Sequence, residues 1–499
     1  MSTGTSLSAK GLNKDQLRWF YFLTGFFMLF SAIAIVKGFL FITGLPVVFF
    51  ILLLTVFHLD TVAFLAVFVT PLSINLAKTS IGIGVSLPSE PIMFGLFLIF
   101  WLKVFADGGL DKKILHHPVT LLIIGHLMWF FFTTLTSSMP IVSIKSTLAR
   151  FCYVSVFYFM FLYLFSKYRN IKKFLWMYMV PLLMVIFYTL ANHIAANLSE
   201  DAAHISMTPF YNDHTAYAAV ICFFIPVLFA LTFDKKTSKK AKYVAGIFLF
   251  IFLTATILSY TRAAWVGLVA ALCAYFAFLF RLKSALIYGG FTLLIVLAIL
   301  FRTQITMDLE SNSKVSSSDY ASHVQSIGNI STDDSNLERL NRWACALRMW
   351  TDHPLLGFGP GTYMFKYAPY QKFSQRSGIS TNNATGGGSH SEILGPLSEQ
   401  GILGPIFYLL IGIVVAVRTS SFLKRSKDSS VKALARGLLL GLVTYWVHGF
   451  LNYFLDTEKA SVPYWGFIAA LVALDIFHED HAVSDLSDQA TTEQSDIVE

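Results

Sequence analysis

Charge is what this chain lacks most. Only 13% of its 499 residues are Asp, Glu, Lys or Arg, about half of the roughly 25% that a soluble domain carries, and this shortage excludes an ordinary water-soluble fold. Cysteine is also scarce. Of four, Cys152, Cys222 and Cys273 lie in apolar stretches and Cys345 stands alone in a polar region, which excludes a disulfide framework. No fixed-period repeat is present, so a solenoid is excluded. No clear inverted pair of broken helices marks a transporter of that plan. The first apolar run follows Lys10, Lys14 and Arg18 without an A-x-A cleavage site, so it reads as a retained helix and not a removed signal peptide. The net charge of +8 is spread through short loops and forms no single patch, so it implies no nucleic-acid partner.

What the chain does have is apolar residues, 55% of the total, with 16% aromatics, 48 of them Phe, and a mean hydropathy of +0.63. Apolar runs of roughly 17–25 residues are membrane-helix candidates. They fall near 17–36, 39–58, 61–77, 90–106, 119–137, 142–165, 174–196, 214–233, 243–259, 263–280, 284–301, 396–417, 437–455 and 461–477. Ile81 to Pro88 suits a re-entrant segment. The fold class is therefore an all-α integral membrane protein, with about 12–14 transmembrane helices and one long, partly helical loop outside the cytoplasm.

Basic residues set the orientation. Alternate loops carry Lys112 and Lys113; Lys167, Arg169, Lys172 and Lys173; Lys235, Lys236, Lys239, Lys240 and Lys242; Arg281 and Lys283; and Arg418, Lys424, Arg425, Lys427, Lys432 and Arg436. The opposite loops are almost free of them, apart from Arg262 and the long loop. The positive-inside rule then puts both termini in the cytoplasm. The expected organisation is a cytoplasmic 1–16, a helix bundle over 17–301, an extracytoplasmic loop over 302–395 and C-terminal helices over 396–477. The acidic 478–499 ends the chain as a disordered cytoplasmic tail. The span centres read as nearly free of charge, which argues against a transporter or flippase with a polar pathway.

Chemistry gathers on the outer side. "SNLERLNRWACALRMW" reads as a helix with Ser335 and Glu338 as a capping box. Leu337, Leu340, Ala344 and Leu347 make its apolar face, and Arg339 and Arg342 share the other with the small Ala346. The two arginines suit either a solvated face or a guanidinium clamp for an anion. "HPLLGFGPGTY" lacks the strand and helix of a dinucleotide loop and reads as a tight turn packed on the bundle. Arg262, in "SYTRAAWVGL", either snorkels to the interface or faces the bundle to meet an anion carried in the membrane. In "GGGSHSEILGPLSEQGILG", Ser389 and Glu392 can form a capping box that puts His390 in a first helical turn. There the helix dipole favours a neutral imidazole and free N–H groups can meet phosphate. Pro396 should kink that helix, and Glu399, nine residues on, lies half a turn out of phase with His390. A plain interfacial capping histidine is the other reading.

"YNDHTAYAA" from Tyr211, "SYTRAAWVGL", "ERLNRWACALRMWTDHPLLGFGPGTY" and "HSEILGPLSEQGILG" occur in that order over roughly 205–415. Together they resemble the bacterial O-antigen ligase and polymerase family, polytopic glycosyltransferases of the bacterial inner membrane with a GT-C-like architecture. The resemblance implies transfer of a glycan from undecaprenyl pyrophosphate to an acceptor hydroxyl, with inversion, without metal or other cofactor, at a site facing the periplasm. The acceptor is lipid A-core in a ligase, and a second lipid-linked glycan in an O-antigen, exopolysaccharide or capsule polymerase. It implies that Arg262 and Arg342 bind the pyrophosphate and that His390 orients a substrate or acts as base. Arg339, Asp213, His214, Ser389 and Ser391 are further substrate-binding candidates. His204, His116 and His117 carry no such expectation.

This orientation makes a direct prediction. A topology reporter fused near Ser317 reports the outer side of the membrane, and a cytoplasmic signal there inverts the whole assignment.

Overall fold

In hydrocarbon every backbone N–H and C=O must find a partner within the chain, so long apolar runs are driven into continuous helices. The computed structural model describes residue 25 and residues 59–76, 84–280, 334–375, 380 and 387–478. The chain divides into two units, 1–62 and 63–499, and the second holds nearly all of the described residues. Among the described residues ten helices are long and apolar enough to cross a membrane, and the protein is an all-α integral membrane protein. After a shorter α1 (Leu59–Val69), the spans are α2 (Ser89–Ala106), α3 (Pro118–Leu135), α4 (Pro140–Leu164), α5 (Tyr168–Ala195), α6 (His214–Phe233), α7 (Lys239–Leu258) and α8 (Arg262–Leu279). Then come α9 (Asp334–Asp352) and the seven-residue α10 (Leu394–Gln400). The spans α11 (Leu403–Arg425), α12 (Ser429–Gly449) and α13 (Glu458–Phe477) end the described chain.

Most expected spans are present. Those at 17–36, 39–58 and 284–301 lie outside the described residues. The run 61–77 is not one span. α1 ends at Val69, a short 3₁₀ turn is next, and Ile74–Asn75 pairs antiparallel with Ser86–Leu87. The described part of the 81–88 segment is therefore extended. The run 396–417 also splits, into α10 and α11. The break is at Gly401 and not at the expected Pro396: Gly401 has φ +67°, and a Cβ there would stand 2.0 Å from the Leu355 carbonyl oxygen. All four cysteines are free.

α13 is buried along most of its length, packed against α4, α6, α11 and α12. α6 and α8 run against α12 at close range. A Cβ on Gly441 would lie 2.3 Å from the Phe223 oxygen, and one on Gly267 would lie 2.7 Å from that of Thr444. One tier above Gly441, Tyr445 stacks on Phe223 with centroids 4.9 Å apart.

Polar contacts sort the loops into two ends. At one end Asp475 of α13 receives His117 at 3.1 Å together with Arg418 and Arg425 of α11. Lys236 pairs with Asp428 at 2.8 Å, Ser430 donates to Asp234 at 2.6 Å, and His478 meets the Phe165 carbonyl. These are the lysine- and arginine-rich loops. At the other end the α3–α4 turn meets the 354–363 loop, with Ser138 N donating to the Phe358 oxygen at 2.9 Å. The segment carrying His390 lies at this second end.

The interior is less free of charge than expected. Arg150, ten residues into α4 and 5% exposed, donates to Asp456 at 2.6 Å. Lys459 near the start of α13 is buried against the carbonyls of Ser73 and Phe210. Each cation is satisfied locally, as buried charges require. These pairs hold loops to helices.

Candidate active site

The histidine segment does not begin a helix. α10 starts at Leu394, and the residues before it are extended or turned. Ser389 is not the cap: the N-cap position is Ile393, without a side-chain cap bond, and Ser391 Oγ accepts from Ile393 N at 3.2 Å and Leu394 N at 3.3 Å in the turn leading into the helix. Ser389 is buried and donates to the Ser391 carbonyl at 3.1 Å. Both hydroxyls, expected to bind substrate, thus shape the local backbone. Glu392 closes no capping box. Its Oε1 accepts from Tyr445 OH at 2.6 Å, Phe454 N at 2.8 Å and Leu455 N at 2.9 Å.

His390 has φ +52°, a left-handed conformation that costs a non-glycine residue on the order of 1–2 kcal/mol and persists where surrounding contacts enforce it. Here Trp343 Nε1 donates to the His390 carbonyl at 3.2 Å, and Glu392 N donates to the Gly449 carbonyl at 2.7 Å. The expected helix dipole therefore does not act on this ring. Burial holds the imidazole down to about 4, helped by the guanidiniums of Arg342 and Arg339 and opposed by Asp213 and Glu338. The half-buried His390 ring is held toward its neutral form by desolvation first and by the neighbouring guanidiniums second.

Those cations come from α9, whose faces are the reverse of the expected ones. Glu338, Asn341, Arg342, Cys345, Ala346 and Met349 are buried, whereas Leu347 is 44% exposed and Leu337, Leu340 and Ala344 are partly so. The polar stripe packs on the protein because it has carboxylate and carbonyl partners there. Arg342 Nε donates to Glu338 at 2.7 Å and Nη1 to the Gly388 carbonyl at 3.0 Å. Its guanidinium lies 5.2 Å from the Tyr367 ring centroid. Glu338 turns to Arg342; the Ser335 side chain of the expected capping box lies outside the described residues. Ala346 leaves no room for a ligand, being packed with Cys345, Met349, Phe358, Tyr363 and Tyr367.

The starts of α6 and α8 complete the site. Asp213 caps α6, its Oδ1 accepting from Thr215 N and Ala216 N at 2.8 Å each. His214 stacks on the exposed His204, with centroids 4.2 Å apart. Thr261 Oγ1 donates to the His214 carbonyl at 3.3 Å, placing the half-buried Arg262 at the adjoining helix start. The structure therefore gathers His390, Arg342, Arg339, Asp213, His214 and Arg262 at one end of the bundle. His204 joins them through its stack on His214, a partnership that no spacing in the sequence announces. His117 sits at the other end.

Behind the histidine segment lies a second, acidic centre that the sequence pattern does not reveal. Arg150, Glu392, His126, Gln400 and Tyr408 line a cavity of about 20 Å³, room for a single water molecule. Burial pushes Glu392 up to about 7. It pushes Glu399 up to about 8, with the Asp456 charge adding to the effect. Glu399 Oε1 accepts from Tyr363 N at 2.9 Å while Oε2 is buried without a partner. The 354–363 loop is the packed turn expected of it: Phe358 N and Gly359 N donate to the carbonyls of Ser398 and Glu399.

A polytopic helical membrane protein with guanidiniums and imidazoles gathered at one end of the bundle is the class that this fold and site define. Residues 247–409 match the family model described as O-Antigen ligase. The matched segment runs from α7 into α11 and contains Arg262, Arg339, Arg342 and His390. Comparison with curated proteins gives no match.

Glu399 carries a testable consequence. Its carboxyl binds a proton in the folded state that the unfolded chain releases near 4.5, so its stabilising contribution is complete below pH 4.5 and is lost as pH rises through about 8. Glu399→Gln removes this slope, which amounts to at most about 1.4 kcal/mol per pH unit. Thermal unfolding in nanodiscs from pH 5 to 9 checks it, and an unchanged slope in the variant refutes it.

Proposed function

We propose that this protein is an O-antigen ligase-like glycosyltransferase of the bacterial inner membrane. It transfers a glycan from undecaprenyl pyrophosphate to an acceptor hydroxyl of lipid A-core on the outer face, with inversion at the anomeric carbon. The observation that carries this reading is Arg342, buried beside the backbone that bears His390, with Arg339 acting on the same ring. A site that concentrates cations around a neutral base suits an anionic leaving group displaced by a hydroxyl.

In this reading the acceptor oxygen forms a bond to the anomeric carbon as the bond from that carbon to the pyrophosphate oxygen breaks. The electron pair leaves with the pyrophosphate, where Arg262, Arg342 and Arg339 offset the developing charge. The hydroxyl proton passes to His390. The guanidiniums that depress His390 are themselves offset by the bound pyrophosphate, so donor binding raises the basicity of the imidazole. The base is thereby strongest when a donor is present. Both termini and the basic loops face the cytoplasm in this arrangement, and the membrane-borne donor enters from the side at which α6, α8 and α12 present their site ends.

Arg262→Ala, Arg342→Ala and His390→Ala are each expected to lower glycan transfer by at least about a hundredfold while the protein inserts at wild-type level. Complementation of surface-glycan display, with membrane abundance measured in parallel, tests this. Full activity in all three variants sinks the assignment.

A further inference from the structure

α12 ends in the site, and its last full turn carries a histidine with an unusual hydrogen-bond balance. Gly441 and Tyr445 of α12 pack on Phe223 of α6, and Thr444 packs on Gly267 of α8. α6 and α8 run antiparallel to α12, at about 1.5 Å rise per residue. Moving up α12 from these contacts to His448 therefore means moving back along α6 toward His214 and along α8 toward Arg262. The Gly449 carbonyl, one residue on, accepts from Glu392 N at 2.7 Å, which brings in the His390 segment. The charges of Arg339, Asp213 and His214 act on His448.

His448 is 1% exposed, as is Asn452. Asn452 Nδ2 donates to His448 Nε2 at 3.0 Å. An amide nitrogen only donates, so Nε2 is the acceptor and the ring proton resides on Nδ1. That Nδ1 is buried and has no hydrogen-bond partner among the described residues. A buried N–H without an acceptor is rare in folded proteins, and this one lies within electrostatic reach of Arg339 and His214, with Asp213 opposing them, so an anionic oxygen is a fitting acceptor.

We propose that His448 is a further donor-binding residue, its Nδ1–H donating to an oxygen of the pyrophosphate group. This rests on the pyrophosphate reading of the site. His448 serves as a fixed neutral hydrogen-bond donor and not as the base, because its second nitrogen is occupied by Asn452, and in this it differs from His390. It lies outside the matched segment 247–409.

The test is binding of undecaprenyl pyrophosphate, with inorganic pyrophosphate as the head-group probe, to the full chain in nanodiscs by native mass spectrometry. His448→Gln lacks a donor at the Nδ1 position, whereas His448→Asn places an amide N–H there. The expected result is about a tenfold loss for His448→Gln with both probes, the size of one hydrogen bond to a charged group, and recovery in His448→Asn. Wild-type affinity in a His448→Gln protein that melts normally overturns the role of His448 alone, and a loss confined to the lipid probe overturns the head-group contact. If His448→Gln does not fold, His448→Asn decides: a tenfold loss there contradicts the proposal. A wild-type protein that binds neither probe overturns the pyrophosphate reading itself.

Discussion

Glu392 ties together parts of the chain that are sixty-two residues apart. Its backbone N–H pairs with the end of α12, and its carboxylate gathers a tyrosine hydroxyl of α12 and two backbone amides of the α12–α13 connection. This junction, with the bonds from Trp343 to the His390 carbonyl and from Arg342 to the Gly388 carbonyl, fixes the left-handed turn at His390 against α9. The site is thus assembled by long-range hydrogen bonds laid over helices whose own positions are set by close glycine contacts. A carboxylate buried at such a junction is costly unless its acceptor capacity is used, and here one oxygen meets three donors.

The junction separates two centres of opposite character. On one side lie Arg339, Arg342 and Arg262 with imidazoles; on the other lie Glu392, Glu399 and Asp456 around Arg150. Burial and the guanidiniums on the first side keep His390 neutral, and the buried carboxyls on the second are held toward their protonated forms by desolvation. Among the described residues the interior cations Arg150 and Lys459 are each engaged by groups of the protein. Charge inside the helices therefore serves assembly at one end, which fits a fixed reaction site better than a moving pathway.

Hydropathy makes the long spans legible, because hydrocarbon leaves the backbone little alternative to helix. The alternation of basic loops is equally legible, and the contacts of Asp475, Asp428 and Asp234 unite those loops at one end. Arg342 and His390 can be singled out by residue type and spacing. Their setting cannot. The pattern of α9 suggests leucines turned inward, as in a soluble helix, whereas its carboxylate, amide and guanidinium find partners inside and Leu347 faces out. The left-handed backbone of His390 and the role of Glu392 depend on residues of α12 and beyond, so no local pattern contains them. Arg150 stays hidden because a single charge scarcely alters the hydropathy of a span, and His448 because its significance is one unmatched nitrogen.

In the proposed function this end of the bundle exchanges a pyrophosphate for an acceptor hydroxyl at one anomeric carbon. The most direct measurement is reconstitution of the purified protein with an undecaprenyl-pyrophosphate-linked glycan and, in parallel, lipid A-core or a second lipid-linked glycan as acceptor. The account predicts release of undecaprenyl pyrophosphate coupled to transfer onto lipid A-core with inverted anomeric configuration. Transbilayer movement of an intact donor, with no bond broken to the pyrophosphate in either mixture, would contradict it.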